Sequence, residues 1–224
     1  MNVNVVEGNI FASSMQTLVN PVNCMGVMGA GLAKEFAVRY PVMLERYQSI
    51  CQKNLLKPGK LWLYKNDSKW VLNFPTKDHW KDPSEYAFLE VGLDKFIATC
   101  VDKEITSVAF PLLGALNGQL DPTKVLDLMT ARLKRCNIPV EIYRYKETAS
   151  DDVAPLAKAI FSTLDIKEIA DETGLSVKRI DKIQKMFLDN EVVSLSHFMS
   201  LSGVGTATAS QLLQISKCRH DRPE

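Results

Sequence analysis

Val19-Asn20-Pro21-Val22-Asn23-Cys24-Met25-Gly26-Val27-Met28-Gly29-Ala30-Gly31 is an apolar strand end running into a loop with three glycines. Glycine takes positive φ without steric penalty and lets the backbone approach a ligand closely, so successive N–H groups of such a loop can converge on an anion. Residues 32–39 follow at once with Leu32, Ala33 and Phe36 at helical spacing, which brings the positive end of a helix dipole to the same place. A diphosphate is the natural guest. The pattern is G-x-x-G-x-G rather than the G-x-G-x-x-G of dinucleotide folds, and Asn20 and Asn23 precede it, which argues against an ordinary Rossmann site. Asparagines at a strand end present amide donors and acceptors to a ribose with vicinal hydroxyls, and a plain glycine turn requires neither.

Outward from this loop, strand-like runs occur at 3–6, 17–22, 61–64, 70–74, 107–110 and 140–145, with helical stretches around 32–51, 84–101 and 122–135. The alternation predicts an α/β sandwich. Residues 146–152 turn polar, with no large apolar side chain, and read as the start of a linker. The expected division is a first domain over 1–146, a linker and connecting helix over 147–163, and a small all-α module over 164–224.

Four ordered segments make residues 1–146 resemble a macrodomain, a three-layer α/β/α sandwich with a mixed sheet, and within that family the bacterial antitoxin subgroup that removes ADP-ribose from DNA. They are Glu7-Gly8-Asn9-Ile10 after the first strand, the Asn-Pro-Val-Asn loop above, Val71-Leu72-Asn73-Phe74-Pro75-Thr76-Lys77-Asp78-His79-Trp80, and Phe110-Pro111-Leu112-Leu113-Gly114-Ala115-Leu116-Asn117-Gly118-Gln119-Leu120-Asp121. The resemblance implies that Asn9 and Ile10 lie at the adenine end of an ADP-ribose. The diphosphate would lie between the loop of Gly26, Val27, Met28, Gly29 and Gly31 and the loop of Gly114, Ala115, Leu116, Asn117 and Gly118. The distal ribose would meet Asn23, with Asn20 and Thr76 beside it, and Lys77 falls on the subgroup's catalytic lysine. Some relatives pair that lysine with an aspartate in the second loop, where this chain has Gly118; Asp121 lies three residues on and also suits a cap for a helix starting at Pro122.

Cleaving a bond at an anomeric carbon develops oxocarbenium character, which a charged lysine opposes. A useful lysine therefore protonates the leaving group or the ring-opened sugar, or attacks the anomeric carbon as a neutral amine to form a Schiff-type intermediate. The second route needs a neighbouring cation or desolvation, with Lys81 or burial beneath Trp80 as sources. His79 and Trp80 are accessory candidates, an imidazole relay and an indole stacking face for a ribose or flipped base; ordinary packing is the alternative for both.

In the helical module, residues 166–187 keep helix-turn-helix intervals, with Ala170 where helices cross, Gly174 at the turn and Ile180 buried. Ser176 is placed to cap the second helix, which would turn Val177, Ile180 and Ile183 inward and Lys178, Arg179, Lys182 and Lys185 outward towards nucleic acid; a helical hairpin with a solvated basic face is the alternative. Residues 201–213 resemble a helix-hairpin-helix in which Gly203 and Gly205 offer N–H groups to a DNA phosphate, although Thr206, Ala207 and Thr208 stand where a lysine or arginine is usual. Contact with a protein partner is the competing expectation.

Composition narrows the remaining choices. The 224 residues carry a net charge of +1, and neither half is a broad basic surface. No apolar run reaches the roughly eighteen residues of a membrane span, and the N-terminus lacks a secretory pattern, which predicts a cytoplasmic chain with no membrane partner. Cys24, Cys51, Cys100, Cys136 and Cys218 show no paired spacing, so reduced thiols are expected, and no metal or cofactor is called for. The expected function is metal-independent ADP-ribosyl glycohydrolysis on a nucleic-acid base, with ADP-ribose and ADP-ribosylated DNA as ligands, reversing a toxin or defence transferase. Hydrolysis of ADP-ribose 1''-phosphate or of ester-linked ADP-ribose on protein, and non-catalytic reading of ADP-ribose, are the alternatives.

Overall fold

The computed structural model describes residues 2–218; residues 219–224, His220 among them, lie outside the described residues. Two compact units divide after Lys146. The first is built on strands β1 (Val3–Gly8), β2 (Thr17–Val22), β3 (Trp62–Tyr64), β4 (Trp70–Pro75), β5 (Val108–Pro111) and β6 (Val140–Tyr145). They form one sheet in the order β1-β6-β5-β2-β4-β3, with only β3 antiparallel to its neighbour.

Alternation along the strands sends successive side chains to opposite faces. Val19, Leu72, Phe74, Val108 and Phe110 face helices α3 (Tyr86–Thr99) and α4 (Pro122–Leu133), whose Leu89, Leu93, Val125 and Met129 complete that core. Leu18, Val22, Val71 and Ala109 face α1 (Gly31–Arg39) and α2 (Pro41–Gln52), through Phe36, Met43 and Tyr47. The single helix expected over 32–51 is two helices. Tyr40 leaves helical geometry and Pro41, which lacks an N–H and has φ pre-set, opens the second at its first position.

Because β5, β2 and β4 are adjacent and parallel, the loops after all three leave from the same edge of the sheet. That edge is where ligands of parallel α/β sheets bind.

The second unit comprises α5 (Val153–Thr163), α6 (Ile166–Thr173), α7 (Val177–Asp189), α8 (Leu195–Ser200) and α9 (Thr206–Ile215). Asp151, which from sequence lies in the linker, is buried and its carboxylate accepts from the backbone N–H groups of Val153, Ala154 and Leu195 at 2.7–3.0 Å, tying the starts of α5 and α8 together. Helix α5 likewise packs on α9 and is part of this unit rather than a connector. Asp165 and Glu168 form a capping box on α6, and Gly174 ends it in the left-handed conformation.

Candidate active site

The first loop is shaped from within by Asn23. Its Oδ1 accepts from the N–H of Met25 at 2.9 Å and of Val27 at 3.4 Å, its Nδ2 donates to the Val27 carbonyl at 2.6 Å, and Tyr47 donates its hydroxyl to the Asn23 carbonyl at 2.7 Å. Asn20 does not reach the loop surface. It is fully buried on β2 directly opposite Asn73 of β4 and donates to that side chain at 3.0 Å, so the expectation that it presents an amide to a ribose is corrected: its register position makes it an interstrand clip. Val27 and Gly29 are exposed on the loop crest, while Met28 turns inward. At the loop's end α1 begins with Ala30 in the cap position and no side-chain cap, so its first N–H groups keep their capacity for an anion.

The second loop is bound differently. Gly114 has φ +69°, and a Cβ on Gly118 would lie 2.3 Å from both the Gly114 carbonyl oxygen and Ser84 Oγ. Ser84 also donates its N–H to the Gly118 carbonyl at 2.9 Å. A side chain at 118, an aspartate included, would collide with this backbone unless the Gly114 turn or Ser84 moved. Asp121 accepts from the Lys124 N–H at 2.9 Å and thereby closes the N-terminus of α4. The two glycine loops are thus unequal: the helix after the first is open to an anion, and the helix after the second is already capped by its own carboxylate. Leu116, at 74% exposure, stands out from this loop, and Ala115 is half-buried.

The third loop carries Lys77. Strand β4 continues pairing with the chain after β2, through Thr76 N–H to the Val22 carbonyl and Cys24 N–H to the Asp78 carbonyl, both at 2.9 Å. Buried Thr76 thereby aims the next residue across the sheet edge, where Lys77 Nζ donates to the Asn117 carbonyl at 2.8 Å. Asn117 in turn lies against Gly31, where φ is +54° and a Cβ would meet Asn117 Nδ2 at 2.3 Å. Lys77, Asn117 and Gly31 therefore join all three loops at one point.

Lys77 is half-exposed, and Lys81 lies 5.2 Å from the centroid of the Trp80 ring. Trp80 is 48% exposed and stacks on His79, whose Nδ1 accepts from the Lys81 N–H, so this pair forms its own exposed platform rather than a cover. At the opposite end of the edge Asn9 is buried, with Oδ1 accepting from the Phe11 N–H and Nδ2 without a protein partner, next to buried Ile10. An orphaned donor there suits a purine ring nitrogen.

Burial, then the nearby Asp78 carboxylate, pushes the Cys24 thiol up to about 12, so it is an inert neighbour of the site. Among the described residues no group of three or more His, Cys, Asp or Glu side chains is arranged to hold a metal ion.

In the helical unit the four-residue basic face expected on α7 is reduced. Arg179 turns inward to Gln211 and Thr208 of α9 at 2.5 and 2.6 Å, and exposed Lys185 pairs with Asp181 at 3.0 Å, leaving Lys178 and Lys182 exposed with no ion pair among the described residues. Val177 is 47% exposed, not inward, and Ser176 occupies the cap position without a side-chain bond, while Ile180 and Ile183 are buried. Gly203, with φ +80°, and Gly205 form the turn into α9. Tyr47, Asn73 and Ser84 support the site, and nothing in their local sequence distinguishes them; each acquires its role from a residue more than twenty positions away.

The carboxyl edge of a mainly parallel sheet thus gathers two glycine loops, an open helix N-terminus and a lysine, a cradle with the donor groups an anion needs. The comparisons agree: the Macro domain model matches residues 19–129, and the chain belongs to that family. It is 37% identical over 171 residues to a DNA ADP-ribosyl transferase-DNA ADP-ribosyl glycohydrolase fusion protein of Thermosipho africanus, covering 68% of this chain and 44% of that protein. Among solved structures it is similar to the macrodomain of Mycobacterium tuberculosis DarG, with a TM-score of 0.61 and 34% identity over 63% of this chain and 96% of that one. It is also similar to Thermosipho africanus DarTG in complex with ADP-ribose, with a TM-score of 0.60 and 38% identity over 64% of this chain and 42% of that one. The chain spans less than half the length of the first curated relatives it matches. No helix among the described residues is long and apolar enough to cross a membrane.

Proposed function

We propose that this chain binds ADP-ribose and hydrolyses its glycosidic bond to a nucleic-acid base. The observation that carries the reading is the junction of Lys77, Asn117 and Gly31, which sets one ammonium beside two loops suited to a diphosphate. The names of the Thermosipho africanus relative and the ADP-ribose in its complex support the same substrate class.

The diphosphate lies against the N–H groups of the first loop and the uncapped start of α1, with Gly29 at closest approach. Leu116 and the Asn117–Gly118 backbone cover its other side. An ammonium held on a carbonyl is arranged as a proton donor, so Lys77 gives its proton to the departing base as the bond from the anomeric carbon breaks. Water supplies the hydroxyl that completes ADP-ribose, and its remaining proton restores the lysine. In this role Lys77 is the catalytic residue, and Asn117 positions it. The helical unit offers Lys178, Lys182 and the Gly203–Gly205 turn as a subsidiary nucleic-acid contact. The chain's setting in this reading is the cytoplasm, opposing a transferase as an antitoxin.

Incubation with ADP-ribosylated single-stranded DNA tests the reaction. Wild type should release free ADP-ribose and unmodified oligonucleotide. Lys77→Ala should abolish release while holding ADP-ribose affinity within about tenfold, because a group acting in the transition state contributes little to ground-state binding. Binding without release by wild type would make the protein a reader of ADP-ribose instead.

A further inference from the structure

Charge is not spread evenly over the first unit. Residues 46–65, running from the second half of α2 through the following loop to the end of β3, carry Arg46, Lys53, Lys57, Lys60 and Lys65 and no aspartate or glutamate, in a chain whose net charge is +1. All five are exposed. Lys57 lies 3.8 Å from Asp78 and Lys65 pairs with Glu104, while Arg46, Lys53 and Lys60 form no ion pair among the described residues. Protection of the β3 edge accounts for a lysine such as Lys65. It does not account for cations on α2 and the loop.

The same segment holds a cleft of about 420 Å³ lined by Arg46, Ser49, Ile50, Trp62, Tyr64 and Lys65, with Leu63. Trp62 and Tyr64, two apart on β3, bring their ring centroids to 6.2 Å, and the Arg46 guanidinium lies 5.7 Å from the Tyr64 ring. Helix α2 separates this cleft from the first loop by one helix width, since a Cβ on Gly26 would touch Gln48 and Cys51 on its other side. A second link runs through the sheet: Asn73 Nδ2 donates to the Trp62 carbonyl at 3.4 Å, and Asn73 Oδ1 accepts from Asn20.

Aromatic rings beside a run of cations, of which Lys57 and Lys65 face the carboxylates of Asp78 and Glu104 and Arg46, Lys53 and Lys60 face none among the described residues, are the chemistry of a single-stranded nucleic-acid track, in which bases stack and phosphates pair with the cations. We propose that residues 46–65 hold the single strand flanking the modified nucleotide. A base enters the Trp62–Tyr64 cleft and phosphates run along Arg46, Lys53 and Lys60. The inference rests on the reading of nucleic acid as the acceptor.

Fluorescence anisotropy with an unmodified single-stranded oligonucleotide of about 12 nucleotides tests the surface without the reaction. Wild type should bind, and the triple variant Arg46→Gln, Lys53→Gln, Lys60→Gln, with an unchanged circular dichroism spectrum, should bind at least about tenfold more weakly. The slope of log K against log salt should become shallower by about 2, at roughly 0.7 per lost charge on a single strand. Tyr64→Ala should weaken binding with no change of slope. Absence of wild-type binding, or wild-type affinity and slope in the triple variant, overturns the proposal. So does equally tight binding of polyglutamate that is lost in the same variant, since that marks an unselective polyanion surface. Hydrolysis of a single ADP-ribosylated nucleotide by wild type, which needs no track, reads the proposed reaction separately, so either idea can fail alone.

Discussion

Tyr47 Oη donates to the Asn23 carbonyl at 2.7 Å and lies 3.1 Å from its Oδ1, joining the middle of α2 to the base of the first glycine loop. Tyr47 is fully buried and its phenol is pushed above its ordinary range by that burial, so the hydroxyl stays a donor. The loop's shape is therefore held by a helix as well as by its own glycines.

Tyr47→Phe removes the hydroxyl that links α2 to Asn23 and keeps the ring. The expected cost is about 1–3 kcal/mol, a fall of several degrees in the melting temperature, with weaker ADP-ribose binding because the loop relaxes. Calorimetric titration beside a thermal melt checks both. Unchanged affinity in a destabilised variant would show that the loop keeps its shape without the helix.

Substitutions at two glycines should part company. At Gly29 an added Cβ meets only Val27 Cγ1, at 3.7 Å, so Gly29→Val should fold normally and lose ADP-ribose affinity by at least about tenfold. At Gly118 the Cβ meets backbone and a buried hydroxyl, so Gly118→Ala should lower the melting temperature as well as the affinity. Full ADP-ribose affinity in a folded Gly29→Val protein would remove the first loop from the binding site.

Alkali should destabilise the fold selectively. Burial, then Asp78, raises the Cys24 thiol from 9.0 to about 12, and burial, then neighbouring Cys136, raises Cys100 from 9.0 to about 11. A group whose folded value lies above its unfolded one contributes fully below the unfolded value and loses that contribution as pH climbs towards the folded value. The urea midpoint should hold steady to about pH 8 and drop between about 9 and 11, and Cys24→Ala should flatten the drop. Equal midpoints at pH 8 and 10.5 would contradict this.

Asp151→Ala should act on the helical unit alone. It leaves three backbone N–H groups without their acceptor, at a cost of at least about 2 kcal/mol. Scanning calorimetry should show a lower transition for residues 147–224, with ADP-ribose affinity unaltered; a loss of affinity would show that the first unit depends on the second.

The α/β alternation, the first loop and the strand leading to Lys77 are legible in the chain because each is a local pattern: period-two apolar runs, clustered glycines, an apolar run ending at Pro75. What escapes local reading is decided by distant partners. Asn20 is indistinguishable from Asn23 until β4 places Asn73 opposite it. Arg179 belongs to an apparent basic stripe until α9 supplies Gln211 and Thr208 to hold it. The basic segment 46–65 is hidden by averaging over each half of the chain, although its lack of acids is visible once the window is short. The helix break before Pro41 was available in the sequence, and the apolar periodicity on both sides of it obscured it.

The packing around Gly118 also bears on how this site can change over time. Ser84 Oγ and the Gly114 carbonyl fill the volume that any side chain at 118 would need, and they belong to two different loops. A carboxylate placed at 118 would therefore have to displace one of them. Any route to a lysine–aspartate pair at this position has to couple the change at 118 to a shift of the Gly114 turn or of Ser84.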